Sequence, residues 1–480
     1  MDSVFSTFYQ DSQQSFWVST QIKTPKEITP ILHTGMLYER KSPIISKEKL
    51  CFLTDSALFA AKSSGLKAIN LAWRIVEPFT EESQNSIKYG FRILKNSSFK
   101  YFYVDSSQDL NIWIKHLSKI SIMTGVESDY NIKKQIGKGT FSTVWLAQDL
   151  YDNNNKYAIK SIPKALLTRP STIEALKSEI FTLKTLDHPN VIKLHKIYES
   201  NTHVHLVLDY VEGGDLLKRL LEKGPLSEKK ASKFAVKLLK LLNYLAQHQI
   251  VHRDIKLENI LLVSDKKETD FKLTDFGLAC ISNEELTDNC GSPGYVAPEI
   301  LRKIPYGLKV DIFSVGVVLF MMLSARAPFS GKSPKDIIAK NKECLLSFHN
   351  KCWLQISKEA INTILALTNS NPNLRPNAKS ALALAWFSSF KKNKRMMRSF
   401  SSTSTNASNS SSYENSPVIK TRPIERKNRL SIDCNKIKLF QEKRGRTNSD
   451  TLIHQKSNNS LNKTCLFNKT KHITNKSFFV

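Results

Sequence analysis

Three features of the 480-residue sequence predict an α+β chain of two folded segments and a tail. Residues 30–122 run as short alternating apolar stretches cut by polar turns and close on one helix-period segment. Residues 130–387 begin as strands around a glycine-rich turn and continue as helix-period segments. Residues 388–480 lose both textures and become basic and rich in Ser, Asn and Lys, the composition of a disordered tail.

Hydrophobic content of 41% and charged content of 24% fit an ordinary globular chain, but the net charge of +28 does not. Residues 391–480 hold 20 Lys and Arg against 5 Asp and Glu. A solvated basic tail accounts for this. The sharper alternatives are contact with anionic lipid, acidic proteins or nucleic acid, the last without specific recognition. Seven cysteines show no C-x-x-C pair and no metal spacing with histidine, so they read as reduced thiols of a cytosolic or nuclear protein. The opening Met-Asp-Ser-Val-Phe is neither a signal peptide nor a myristoylation site, which predicts a cytoplasmic protein that is not secreted. The apolar run from Ile312 to Leu323 has the length of a core helix.

Residues 1–29 are polar with scattered aromatics and read as a leader without order. The strand runs that follow include Gly35-Met-Leu-Tyr, Leu50-Cys-Phe-Leu-Thr, Ala57-Leu-Phe-Ala, Ala68-Ile-Asn-Leu, Tyr89-Gly-Phe-Arg-Ile-Leu and Tyr101-Phe-Tyr-Val. Leu110, Trp113, Leu117 and Ile120 then share one helix face, with Ser106 and Asp109 as its capping box. Six or seven strands closed by a helix with a central Trp resemble the pleckstrin-homology (PH) domain, which implies a β-barrel capped by its C-terminal helix. In that family basic residues after the first strand bind phosphoinositide head groups. Arg40, Lys41, Lys47 and Lys49 occupy the corresponding positions, although lysine lacks the forked geometry of arginine. Two readings stand for this segment: recruitment to anionic membrane lipid, or a domain that binds protein or braces its neighbour.

The second segment carries the chemistry. Ile136-Gly137-Lys138-Gly139-Thr140-Phe141-Ser142-Thr143-Val144 is a hairpin whose glycines let backbone approach phosphate. Tyr157-Ala158-Ile159-Lys160 is a strand presenting a lysine, and Glu179 lies in a helix that Ser171 and Glu174 are expected to cap. His205 to Asp209 reads as a buried strand turning into the Gly213-Gly214 hinge. His252-Arg253-Asp254-Ile255-Lys256-Leu257-Glu258-Asn259 joins a long apolar helix to a short strand, and Asp275-Phe276-Gly277 ends another strand. A carboxylate, a nearby lysine and an asparagine in one loop suit phosphoryl transfer: one orients a hydroxyl, one neutralises phosphate, one offers oxygen to Mg²⁺.

These motifs, in this order, resemble the eukaryotic protein kinases, and the Ser/Thr class by Lys256 and Gly291-Ser-Pro-Gly-Tyr. The wording Asp275-Phe-Gly-Leu-Ala and Cys290-Gly-Ser-Pro-Gly-Tyr is similar to the calmodulin-dependent kinase group. The resemblance implies a bilobal fold with ATP and Mg²⁺ as cofactors and proteins as substrates. It makes Asp254 the group that positions the hydroxyl, Lys256 its partner, and Asn259 and Asp275 the Mg²⁺ ligands. It puts Lys160 on the α and β phosphates with Glu179 as its ion-pair partner. Residues 136–144, Ala158, Asp209, Val211, Asp215 and Leu261 become the nucleotide pocket, with Leu208 at its back. Asp215 and Glu258 are placed to hold an arginine three residues before the phosphoacceptor. Thr287 and Asp288 lie where relatives carry an activating phosphothreonine, opposite Arg253; a carboxylate there supplies part of that charge.

Glu299 is expected to pair with Arg375, and Asp311 to brace the catalytic loop. Residues 391–400 contain a weak calmodulin-binding pattern, although a plain solvated linker explains it better, and Ser401, Thr447 and Ser449 follow arginines as autophosphorylation candidates. The alternative from another class is a catalytically silent scaffold. Silent relatives lack the lysine or one of the two aspartates, and Lys160, Asp254 and Asp275 are all present.

Overall fold

The computed structural model describes residues 3–5, 16–22, 24–42, 45–62, 65–84, 86–95, 98–281 and 283–389. After a two-residue strand, β1 (Val18–Ser19), seven strands form an antiparallel meander: β2 (His33–Arg40), β3 (Ser46–Leu53), β4 (Ala57–Lys62), β5 (Gly65–Asn70), β6 (Ile75–Ser83), β7 (Ser86–Lys95) and β8 (Ser98–Val104). Helix α1 (Ser107–Ile120) closes them, with Ser106 Oγ accepting from the Asp109 amide at 3.1 Å. Its apolar face, Leu110, Trp113, Leu117 and Ile120, is buried against Leu37, Phe91 and Phe102. Burying that stripe is what fixes the helix, since a single amphipathic helix of this length is marginal alone.

Two expectations are corrected. The barrel is not closed among the described residues: β5 pairs with β1, and β6 pairs with β7 and with β9 (Ile122–Met123). The leader is not without order throughout, since Phe5 is fully buried and β1 extends the sheet. Strand β6 escaped the alternation pattern because Pro78 interrupts it. Beyond Ile75–Val76 its outer edge has no strand partner among the described residues, so the missing N–H costs no ladder bond there.

Strand β9 also pairs in parallel with Ile197 and Tyr198 of the second segment, so one 14-stranded sheet runs through both. After α2 (Val126–Asp129), that segment opens with β10 (Tyr130–Lys138), β11 (Thr143–Asp149) and β12 (Lys156–Pro163). Helix α3 (Pro170–Thr185), β13 (Leu194–Glu199) and β14 (His203–Asp209) complete a small β-rich lobe. A helical lobe follows, built on α4 (Leu216–Lys223), α5 (Glu228–Gln247) and α7 (Lys309–Ser324), with α6 (Pro298–Leu301) between the last two. Helix α7 is buried on every side from Val310 to Ser324, as its unbroken apolar run requires. The expected Ser171–Glu174 cap is absent: Pro170 takes the first helical position, where its fixed φ suits the helix and its lack of N–H is harmless.

Candidate active site

Strand β12 is central in the small lobe, with Lys160 opposite Val144 on one side and Leu206 on the other. Its ammonium reaches Glu179 Oε1 on α3 at 2.6 Å and Asp275 Oδ1 at 3.6 Å. Burial opposes the charge on Lys160, but the two carboxylates outweigh it and hold the pKa above the ordinary lysine value. Asp275 has left-handed backbone, φ 62°, which turns a half-exposed carboxylate into the cleft, while Phe276 beside it is fully buried against His252. A non-glycine residue held there stores about 1–3 kcal/mol of strain, and such residues cluster at functional sites.

Below the cleft, Asp254 is buried and loaded on both oxygens. Oδ1 accepts from Ser292 Oγ at 2.6 Å; Oδ2 accepts from Lys256 Nζ at 2.5 Å and Asn259 Nδ2 at 3.1 Å. Burial pushes its pKa up, but Lys256 and Ser292 more than reverse this, so the carboxylate stays ionised. Asn259 also donates Nδ2 to the Asp254 carbonyl at 2.8 Å, which leaves its own amide oxygen as an acceptor. That oxygen and the Asp275 carboxylate form a hard donor set that suits Mg²⁺. Asp311 heads α7 from behind and accepts from the amides of His252 and Arg253 at 2.7 and 2.9 Å. Those two bonds fix the loop where Arg253, φ 65°, leaves ordinary backbone space.

The glycine hairpin lies over this lobe. Gly139 N donates to Ser142 O at 2.8 Å at its tip, and Lys138, Gly139, Thr140 and Phe141 are exposed, with Thr143 and Val144 paired back onto β10. Ala158 is buried and pairs with Leu208; Asp209, Val211 and Asp215 follow along the hinge, and Leu261 bridges Asp215 from below. Gly213 is required here, because an added Cβ would meet Leu262 O at 2.4 Å. Asp215 caps α4, accepting from Lys218 N at 2.8 Å, and Glu258 accepts from Tyr295 Oη at 3.4 Å. Both carboxylates remain partly exposed.

In the activation segment Arg253 donates to Asp288 at 2.8 Å, to Tyr306 Oη at 3.2 Å and to Leu278 O at 2.6 Å. Thr287 is exposed beside it. Gly291, φ 107°, lets the segment pass the catalytic loop, since a Cβ would sit 2.8 Å from Arg253 O. Arg375 and Glu299 form a fully buried bidentate pair at 2.6 and 2.9 Å. Four partners went unread in the sequence: Ser292 on Asp254, Tyr306 on Arg253, and His195 and Lys272 on Asp209. Each comes from a distant element, and a lone Ser, Tyr or His carries no local signal.

Most of the basic residues of the first N-terminal hairpin are engaged by acidic side chains. Lys49 is buried in an ion pair with Glu39, which also takes Lys41 at 3.0 Å and Lys100 at 2.5 Å and accepts from Trp17 Nε1 at 3.1 Å. Burial would raise the Glu39 pKa, but these donors bring it down to about 2. Arg40 faces Glu81 at 3.1 Å. Of the four residues expected to bind lipid, Lys47 alone is exposed and has no acidic partner among the described residues. The calmodulin pattern at 391–400 and the serines and threonine of the tail lie outside the described residues. No described helix is long and apolar enough to cross a membrane, and the described cysteines, 51, 280, 290, 344 and 352, are free thiols.

The protein kinase domain matches residues 130–387. A probable serine/threonine-protein kinase 2 of Plasmodium falciparum is 39% identical over 264 residues, covering 55% of this chain and 51% of that one. Calcium/calmodulin-dependent protein kinase type 1 of Macrobrachium nipponense is 36% identical over 267 residues, 55% of this chain and 77% of its own length. Myosin light chain kinase A of Dictyostelium discoideum is 36% identical over 269 residues, 56% and 90% of the two chains. The chain thus spans about half of the first relative and most of the other two; residues 30–122 lie outside the matched domain. The chain belongs to the protein kinase family, as a serine/threonine kinase of the calmodulin-dependent-kinase-like kind.

Proposed function

We propose that the chain is catalytically active and moves the γ-phosphoryl group of ATP to Ser or Thr hydroxyls of proteins, preferring arginine three residues before the acceptor. One observation carries this: the Lys160–Glu179 pair is closed at 2.6 Å while Asp254 is held ionised by Lys256 and Ser292. Asp254 receives the hydroxyl proton as the oxygen attacks phosphorus and ADP leaves. Lys256 balances the charge gathering on the phosphoryl oxygens, and Lys160 orients the α and β phosphates. Asp275 and Asn259 would hold Mg²⁺, which would supply charge neutralisation to the phosphates when bound. The partly exposed carboxylates of Asp215 and Glu258 support the arginine preference. Phosphate transfer to matched peptides with Arg or Ala at that position checks it; equal kcat/KM for the two would remove the preference, and no transfer to either would remove the activity.

A second reading concerns activation. The Arg253–Asp288 pair at 2.8 Å supports basal activity without phosphorylation of Thr287, the fixed carboxylate doing part of a phosphate's task. The strand meander and the buried Trp113 of α1 support reading residues 30–122 as PH-type, with Lys49 of its basic stretch turned inward.

A further inference from the structure

The active arrangement depends on α3, because that helix carries Glu179 to Lys160. What holds α3 from its other side is the N-terminal domain. Lys177 and Lys184 are seven residues apart and share a face, whereas Glu179 lies about 200° around the helix from Lys177. On the outer face, Lys184 Nζ donates to the carbonyl of Ile120 at 3.1 Å, at the end of α1. That carbonyl belongs to a last turn that lacks helical partners and carries partial negative charge, so it suits a cation. Lys177 places its ammonium 6.0 Å from the ring centre of Trp73.

Trp73 stands in the turn between β5 and β6 with φ 64°, a strained conformation for a bulky residue that aims the indole out of its own domain. Phe5 of the leader stacks on it at 5.2 Å and is fully buried. Just before Phe5, Ser3 Oγ and the Val4 amide both donate at 2.7 Å to Glu199, the last residue of β13. Glu199 is itself buried and also pairs with Lys164 at 2.7 Å, in the turn directly after the strand that bears Lys160. The leader is therefore pinned to the kinase lobe at one end and to the N-terminal domain at the other. The bridging strand β9 adds main-chain hydrogen bonds between the same two partners.

We propose that the N-terminal domain and residues 3–5 form a built-in brace that holds α3 in the position closing the Lys160–Glu179 pair, with Lys184, Trp73 and Phe5 as positioning residues. This rests on the phosphotransfer reading above. Its occupant is the chain's own domain, so it predicts that activity and α3 order rise and fall together with contacts remote from ATP.

The test uses the full chain carrying Phe5→Ala, Trp73→Ala, Lys184→Met or Lys184→Arg. Two readouts are taken: steady-state transfer to a peptide, and hydrogen exchange of α3 amides compared with those of α5. Phe5→Ala, Trp73→Ala and Lys184→Met are expected to lower kcat by ~10- to 100-fold, the range that misplacement by about an ångström costs. Peptide KM should stay unchanged, and exchange should quicken in α3 while α5 is unmoved. Lys184→Arg, which keeps a donor, should restore most of the rate. Parent-like kcat and α3 exchange in Phe5→Ala and Trp73→Ala would overturn the brace. If Lys184→Met fails to fold, those two variants still decide it. An inactive parent would count against the phosphotransfer reading instead, and the exchange comparison would still judge the brace by itself.

Discussion

The catalytic loop and the first hairpin of the N-terminal domain both gather lysine around a buried carboxylate, yet they leave different amounts of charge for a ligand. At Asp254 one lysine, one hydroxyl and one amide share the carboxylate, on the floor of a cleft that also exposes Asp275. At Glu39 three lysines and an indole N–H converge on a side chain with no exposure at all. The first keeps cations and oxygens facing the place where phosphate must pass. The second has its anion built in, and its lysines are spent on structure. Lysine count is thus a poor guide to anion binding; what matters is whether a fixed carboxylate already sits among the ammonium groups.

Asp254→Ala should break the first cluster most severely, lowering kcat by ~10²- to 10⁴-fold, a loss out of proportion to its effect on the melting temperature, measured by phosphate transfer and by melting. Glu39→Gln should do the reverse. It leaves buried Lys49 without its counter-charge, a change that costs about 3–5 kcal/mol. The melting temperature should drop accordingly, and a parent-like melting temperature would contradict the role of Glu39 as the counter-charge. Next in size, Asp288→Ala removes an ion pair to Arg253 that exposure of the carboxylate limits to about 0.2–1 kcal/mol, and should lower basal kcat of phosphatase-treated protein several-fold.

The smallest effect is one of pH. His205 is buried beside His203 and bonded to Ser161 Oγ at 2.9 Å, and burial lowers its pKa to about 4. The unfolded chain takes up this proton near the ordinary value of 6.5, so the unfolded state binds more protons as pH falls. Stability from the neutral ring is complete above about 6.5 and is lost as pH drops toward 4; His205→Phe should flatten that part of the melting profile.

What could be read in the sequence tracks how local the cause is. The loop from His252 to Asn259 places three functional groups within eight consecutive residues, so spacing alone announces them. Glu39 takes Lys100 from β8 and Trp17 from the leader, and neither partner has any local mark. The same holds for the leader's hold on Glu199, 195 residues from Val4. A two-residue strand such as β9 is too short for periodicity to show, although it joins the two sheets. Strand β6 hid behind a proline that an edge position tolerates. In α3 the buried residues Ile173, Leu176, Ile180 and Leu183 keep helical spacing, while the start of the helix was misjudged because proline replaced the side-chain cap.

The most direct test of a site that is assembled and ready is phosphate transfer from Mg-ATP to an arginine-containing peptide by the phosphatase-treated full chain, beside Asp254→Ala. Transfer by the treated parent and none by the variant is the expected result. A treated parent that is silent, and that gains activity only after Thr287 is phosphorylated, would contradict it.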